Sequence, residues 1–284
     1  MKKILSGTLL ALGILFLGVT GSQAEAAQTS GTKNLKLNST YKNYDVTGDG
    51  ISDQLLITND SQDEDHYEGI NIFINDKKVY SKDLYYYRAN LKLCTLENGQ
   101  VYLFINPIME NDDSIVNGLF QYQESSGKLK RVVNLNKYYT YSYHCWTDKI
   151  KVSGNCILAK NSLMSYTVAG MDLSYITYTY QEGSLVMKDQ TVKAKVWNSI
   201  LDLETYTIDE DAGLITKRVL TTYKKAGGKK KSVKIPKGAT VYVDRWYESG
   251  KKAYIRIKYG NKKGWIKMVK SEEKSPFTNA SYAG

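Results

Sequence analysis

Apolar residues in this chain recur at every second position, in short runs that end at turn residues. That pattern leaves little room for anything but β-structure. Leu91-Lys92-Leu93-Cys94-Thr95 and Val101-Tyr102-Leu103-Phe104-Ile105 stand on either side of Glu97-Asn98-Gly99. Period-two alternation puts one set of side chains on one face of a strand, and Asn-Gly favours a tight hairpin turn. The same logic predicts strands at Gln54–Thr58, Ile70–Ile74 and Val79–Ser81, with Asn75-Asp76-Lys77-Lys78 as a turn. Gly118–Tyr122 and Leu129–Leu135 face each other across Ser125-Ser126-Gly127, and further strands are expected at Ser165–Val168, Ser174–Tyr180 and Leu185–Lys188. Helical periodicity is almost absent. The 24 tyrosines, against 5 phenylalanines, suit strands with one wet face, because the ring packs while the hydroxyl reaches water. The expected fold class is all-β: an antiparallel meander, a partial propeller-like array or a sandwich over residues 41–200, followed by a second, smaller β unit.

The N-terminus carries an export signal. Lys2 and Lys3 precede an apolar run from Thr8 to Val19, and Ala24 and Ala26 fit a small-residue cleavage rule, so residues 1–26 read as a signal peptide. The run is too short for a comfortable membrane span, and no later segment is apolar enough to make one. The mature protein is expected to be secreted, free or held at the cell surface by binding. Residues 27–40, rich in Ser, Thr, Asn, Gly and Lys, read as a flexible leader. Charge then divides the chain. Residues 27–213 carry 18 Lys and Arg against 24 Asp and Glu, whereas residues 214–284 carry 19 against 4. This asymmetry predicts an acidic β domain over 41–200, a linker or last strand over 201–217, and a basic module over 218–284.

Asp45-Val46-Thr47-Gly48-Asp49-Gly50-Ile51-Ser52-Asp53 has oxygen-bearing side chains at positions 1, 3, 5 and 9 and glycine at position 6. Hard oxygen donors at alternating loop positions suit Ca²⁺, with Ile51 offering its carbonyl. Position 12 is Leu56 rather than a bidentate Glu, and a strand follows instead of a helix. The pattern resembles the calcium loops of FG-GAP/VCBS-type β-repeats, in one copy. That resemblance implies a structural Ca²⁺ held by Asp45, Thr47, Asp49 and Asp53. The alternative is an ordinary Asp/Gly turn.

In the basic module, Val219–Tyr223 is followed by a Lys/Gly loop, then Ile235-Pro236-Lys237-Gly238-Ala239-Thr240-Val241-Tyr242-Val243, then Ala253–Tyr259, a Gly260-Asn261 turn and Gly264-Trp265-Ile266. This order resembles a bacterial SH3-like domain. The resemblance implies a small β-barrel of the kind associated with peptidoglycan binding. Val241, Val243, Ile255, Ile257 and Ile266 alternate as an inward face, while Tyr242, Tyr254, Arg256 and Lys258 point the other way. Tyr223, Trp246, Tyr247, Tyr254 and Trp265, beside Arg256 and the lysines, are expected to form a shallow groove for sugar, peptide or anionic polymer; core packing is the alternative for Trp265. Together the calcium-type loop and the SH3-like module resemble a group of secreted clostridial proteins, which implies architecture and location only.

Cys145 and Cys156 flank a Ser-Gly-Asn turn and could face each other in a disulfide, leaving Cys94 buried. The two histidines, His66 and His144, fit no catalytic motif. No G-x-S-x-G, H-E-x-x-H or phosphate loop occurs, so the expectation is not an enzyme. The leading expectation is a wall-associated binding protein whose partner is peptidoglycan or teichoic acid. The alternatives are an accessory or weak enzyme of wall turnover and, less favoured, an extracellular nucleic-acid binder drawn in by the lysines.

Overall fold

The computed structural model describes residues 29–280, apart from residues 64, 110–114, 138–143, 165–168, 171, 197, 202–205, 210, 251 and 269–272. The expected signal peptide at 1–26 and the strand at Ser165–Val168 lie outside the described residues. Among the described residues there are 23 strands and no helix. All pairings are antiparallel, and none of the sheets closes into a barrel.

Three large sheets and a two-stranded ribbon build the described part of the molecule. The first contains β2 (Ser39–Tyr44), β3 (Asp53–Thr58), β4 (Ser61–Gln62), β5 (Tyr67–Ile74) and β6 (Lys77–Tyr86). Asn75 and Asp76, both at positive φ, turn β5 into β6 so that Ile74 faces Lys77; this tight turn matches the right-handed twist of the strands it joins. The second sheet runs β1 (Gly31–Leu35), β7 (Arg88–Thr95), β8 (Val101–Ile108), β9 (Gly118–Gln123), β10 (Lys128–Asn134). β1 lies in the segment expected to be a flexible leader. It pairs with β7 from Gly31–Thr95 to Leu35–Leu91, so backbone hydrogen bonding, which composition does not report, orders this polar stretch.

The third sheet is the longest. It runs β11 (His144–Ser153), β12 (Cys156–Met164), β13 (Asp172–Gln181), β15 (Thr191–Val196), β21 (Thr240–Ser249), β22 (Lys252–Tyr259), β23 (Lys262–Lys267), β19 (Leu220–Tyr223), β20 (Lys231–Ile235). β14 (Ser184–Met187) adds to β13 and β18 (Leu214–Ile215) to β21, while β16 (Asn198–Leu201) and β17 (Tyr206–Asp209) form a separate ribbon. The pairs Thr191–Tyr247, Val192–Trp246 and Lys193–Arg245 make one sheet of strands from both the acidic and the basic stretch. Residues 201–217, expected as a linker or last strand, include part of the ribbon, β18 and the buried Ala212, Leu214 and Thr216.

The middle sheet serves two cores. Every residue of β8 is buried. Val101, Leu103 and Ile105 enter one core with Leu55, Ile57, Ile70 and Ile72 of the first sheet. Tyr102 and Phe104 enter the other, with Ile157, Ile176, Val192, Trp246 and Ile255 of the third. A strand covered on both faces loses the polar half of its alternation, as Val101–Ile105 does. Each fully buried Leu, Ile or Phe contributes about 1.5–3 kcal/mol of transfer free energy, so this strand is the anchor of the layered arrangement.

Candidate functional site

The Asp/Gly loop is closed by its own backbone. Asp45 Oδ1 accepts from the N–H groups of Gly48 at 2.6 Å and Asp49 at 3.1 Å, and its Oδ2 from Gly50 at 2.8 Å. Asp53 is buried, and its Oδ2 accepts from Val46 N–H at 2.8 Å, Thr47 N–H at 2.9 Å and the Thr47 hydroxyl at 3.1 Å. Its Oδ1 accepts from Asn75 Nδ2 at 2.6 Å, which ties the loop to the β5–β6 turn. Asp49 Oδ1 takes the Ile51 N–H at 2.8 Å. Gly48 and Gly50 sit at φ 86° and 84°, where side chains are disfavoured. Among the described residues, no three His, Cys, Asp or Glu side chains converge in a metal-holding group. The carboxylates of Asp45, Asp49 and Asp53 accept from loop amides, and the Thr47 hydroxyl bridges two of them, 3.4 Å from Asp45 Oδ1 and 3.1 Å from Asp53 Oδ2.

No disulfide joins the cysteines. Cys145 lies opposite Leu163 and Cys156 opposite Ser153, near opposite ends of the β11–β12 ladder. The hairpin exists, but its register separates the two thiols far beyond the reach of an S–S bond. Burial pushes the Cys94 thiol up to about 12, so it stays protonated at neutral pH. His66 stacks on Tyr85 with ring centres 4.5 Å apart, beside Asp63.

The aromatic residues of the basic stretch separate into two faces. A bulge between Val243 and Arg245 leaves Asp244 as the extra residue and reverses the alternation of β21. Before it Val241 and Val243 point inward; after it Trp246 and Glu248 do. Trp246 is therefore fully buried, with its indole N–H donating to Glu248 Oε2 at 3.3 Å. It belongs to the core and not to the expected groove.

The other five residues share the outer face. Tyr247 faces Tyr254, with ring centres 6.3 Å apart, and Tyr247 meets Trp265 edge-on at 6.4 Å. Trp265 lies opposite Tyr223 on one side and Arg256 on the other. The Arg256 guanidinium sits 5.7 Å from the Trp265 ring centre and is held by a bidentate pair to Asp244, Nε to Oδ1 at 2.8 Å and Nη2 to Oδ2 at 2.9 Å. Trp265 is only 8% exposed, so it is the floor of this patch, while Tyr247, Tyr254 and Tyr223 are half-buried and reach its surface.

The lysine loop folds onto the same patch. Lys224 N–H donates to Lys230 O at 2.9 Å and Gly228 N–H to Lys225 O at 3.0 Å, closing the loop. A β-carbon on Gly227, at φ 69°, would come within 3.1 Å of the Tyr254 hydroxyl oxygen, so glycine lets the loop lie against that ring. Exposed Lys224, Lys225, Lys229 and Lys230 thus rim a tyrosine surface. Beside it, a cleft of about 570 Å³ is lined by Arg218, Leu220, Tyr223, Lys267, Lys274 and Pro276, among others. The sequence signals the lysines and the tyrosines. It does not signal the bulge at Asp244, which decides which aromatics face out.

Compared with protein-family models, curated proteins and solved structures, the chain matches none.

Proposed function

We propose that the protein is a secreted binding protein that docks on the bacterial cell wall through the outer face of its C-terminal strands. The observation that carries this reading is the tyrosine patch of Tyr247, Tyr254 and Tyr223, floored by Trp265 and rimmed by lysines. Half-buried tyrosines offer flat apolar area with polar edges, which suits sugar rings and peptide, and the lysine rim attracts anionic wall polymer. The SH3-like order of strands in residues 218–284 and the export signal in residues 1–26 favour the same partner. Ca²⁺ would enter as a structural ligand of the Asp45–Asp53 loop, and sedimentation in Ca²⁺ and in chelator tests whether docking needs it. No chemical step is needed for this role.

The test is sedimentation of the full mature chain with purified wall sacculi at low salt. Point variants are required, because the β15–β21 pairing means that removing residues 218–284 would open a sheet edge and a core. Tyr247→Ala combined with Tyr254→Ala should lose most of the bound fraction. Unchanged retention of that variant would sink the reading.

A further inference from the structure

The register of the third sheet places one transverse row of residues on its outer face, drawn from all nine strands of its main path. Lys149 lies opposite Lys160, and Lys160 opposite Tyr175. Tyr175 faces Lys193, and Lys193 faces Arg245. Arg245 faces Arg256, Arg256 faces Trp265, Trp265 faces Tyr223, and Tyr223 faces Lys231. Directly opposed residues in antiparallel strands put their side chains on the same face. The burial pattern agrees, since Ile150, Ala159, Ile176, Val192, Trp246 and Ile255 flank row members and are all buried on the opposite side. The row therefore presents six cations and three aromatic rings.

We propose that this row is the binding track for a single flexible chain of phosphodiesters, the chemistry of a polyol-phosphate wall polymer, lying across the strands. The proposal rests on the wall-docking reading and extends its surface beyond the basic stretch onto β11, β12, β13 and β15. Strands stand about 4.8 Å apart, so eight steps make a line of about 38 Å, long enough for several successive phosphates. Charge complementarity commits the row to a polyanion. The carboxylates near it include Asp148, the bulged residue beside Lys149 that accepts from the Ser162 hydroxyl, Asp244, which holds Arg256 and lies 3.6 Å from Lys263, and Asp189, which lines a hollow of about 330 Å³ with Tyr175, Lys193 and Arg245; the six cations of the row outnumber them. That hollow lies near the middle of the row, where β13 changes partner from β15 to β14, and offers room for one repeating unit.

Two features select a flexible polyol phosphate over nucleic acid. Adjacent strands are rotated by about 20–25°, so the line winds through roughly half a turn, which a duplex with a persistence length of about 50 nm does not follow. Single-stranded nucleic acid binds by stacking bases on open aromatic faces. Here Lys193 Nζ stands 5.0 Å over the Tyr175 ring and Arg256 covers Trp265, so those rings hold cations instead of bases.

The experiment measures binding of the full mature chain to poly(glycerol phosphate) as a function of salt, with oligo(dT) and duplex DNA in parallel. Replacing Lys160, Lys193 and Arg245 together by Gln should weaken binding to poly(glycerol phosphate) about a hundredfold at about 0.1 M salt and lower the log–log salt slope by about 2. These figures take ~0.7 released counterion, or about fivefold, per contact. Lys193→Arg should bind like the parent, as should Lys77→Gln with Lys82→Gln on β6. Circular dichroism checks that each variant is folded. Affinity of the triple variant within about twofold of the parent, with the same slope, would overturn the track. Tighter binding of oligo(dT) or duplex DNA than of poly(glycerol phosphate) would overturn the choice of partner. Run on sacculi, the two sets of variants separate the claims. Loss with Tyr247→Ala and Tyr254→Ala but retention with the triple variant leaves wall docking standing and removes the track; retention in both removes both.

Discussion

Replacing Asp53 tests whether hydrogen bonds or a cation hold the Asp/Gly loop. The buried carboxylate accepts two backbone N–H groups, the Thr47 hydroxyl and the Asn75 amide. Hydrogen bonds to a charged group contribute about 1.5–3 kcal/mol each, and losses within one cluster are less than additive. Asp53→Ala leaves all four donors without this acceptor, including the buried Val46 N–H, and should destabilise by about 4 kcal/mol. Asp53→Asn can keep its carbonyl on the Val46 and Thr47 side. Its amide then confronts Asn75 Nδ2, and Asn75 cannot turn over without releasing its own bond from Gln54 N–H at 2.9 Å. The Asn variant should therefore lose about 2 kcal/mol. For a chain of this size each kcal/mol lowers Tm by about 2–4 °C, giving falls of about 8–16 °C for Ala and half that for Asn. The assay is thermal unfolding followed by near-ultraviolet circular dichroism, in chelator and in millimolar Ca²⁺. If the two variants match the parent in chelator and fall below it only with Ca²⁺, the loop is held by metal and the hydrogen-bond account is refuted.

Other outcomes follow from single contacts. A β-carbon on Gly264 would stand 1.9 Å from Thr222 Oγ1, and the buried Thr222 hydroxyl both donates to Val233 O and accepts from Val233 N–H. Gly264→Ala should therefore lower stability by about 3 kcal/mol, read by urea unfolding. Trp246→Phe should lower stability in the same assay and leave sacculus binding unchanged, because the indole lies in the core. Burial raises Cys94 to about 12 from 9.0, and Tyr80 and Tyr102 to about 12 from 10.0. Each raised value adds stability that is complete below the unfolded pKa and disappears as pH climbs through the folded one. Unfolding free energy should therefore fall between about pH 9 and 12, and a flat profile there would contradict the burial of these groups. Mass spectrometry of alkylated protein should find three thiols in the unfolded chain, with Cys94 and Cys145 slow to react while it is folded.

The sequence reading succeeds where structure is local. Asn75-Asp76 and Asn98-Gly99 mark hairpins because turn geometry is written in the residue types, although the first turn is two residues shorter than the expected Asn75–Lys78, since Lys77 and Lys78 already pair with Ile74 and Phe73. It fails where a long-range partner or a single inserted residue decides. Gly31–Leu35 is polar and reads as a tail, yet β7 offers it a sheet edge sixty residues away in sequence, as in the pair Gly31–Thr95. The bulge at Asp244 moves Trp246 inside and leaves Tyr247 outside, so the expected groove loses one member and keeps five. Cys145 and Cys156 flank a true turn, but the register and not the spacing decides what faces what. The lysines between Lys149 and Lys231 scatter along the chain as ordinary solubilising charge. Only the pairing of all nine strands from β11 to β20 brings Lys149, Lys160, Lys193 and Lys231, with Tyr175 and Trp265, into one line.

The most direct measurement is retention of the mature protein on purified wall sacculi, compared with Tyr247→Ala/Tyr254→Ala and with wall stripped of its anionic polymer. The account predicts that the parent is retained at low salt and released by salt, that the double variant is largely lost, and that stripping weakens what the parent binds. Equal retention of parent and double variant, or no retention of the parent at any salt, would contradict it.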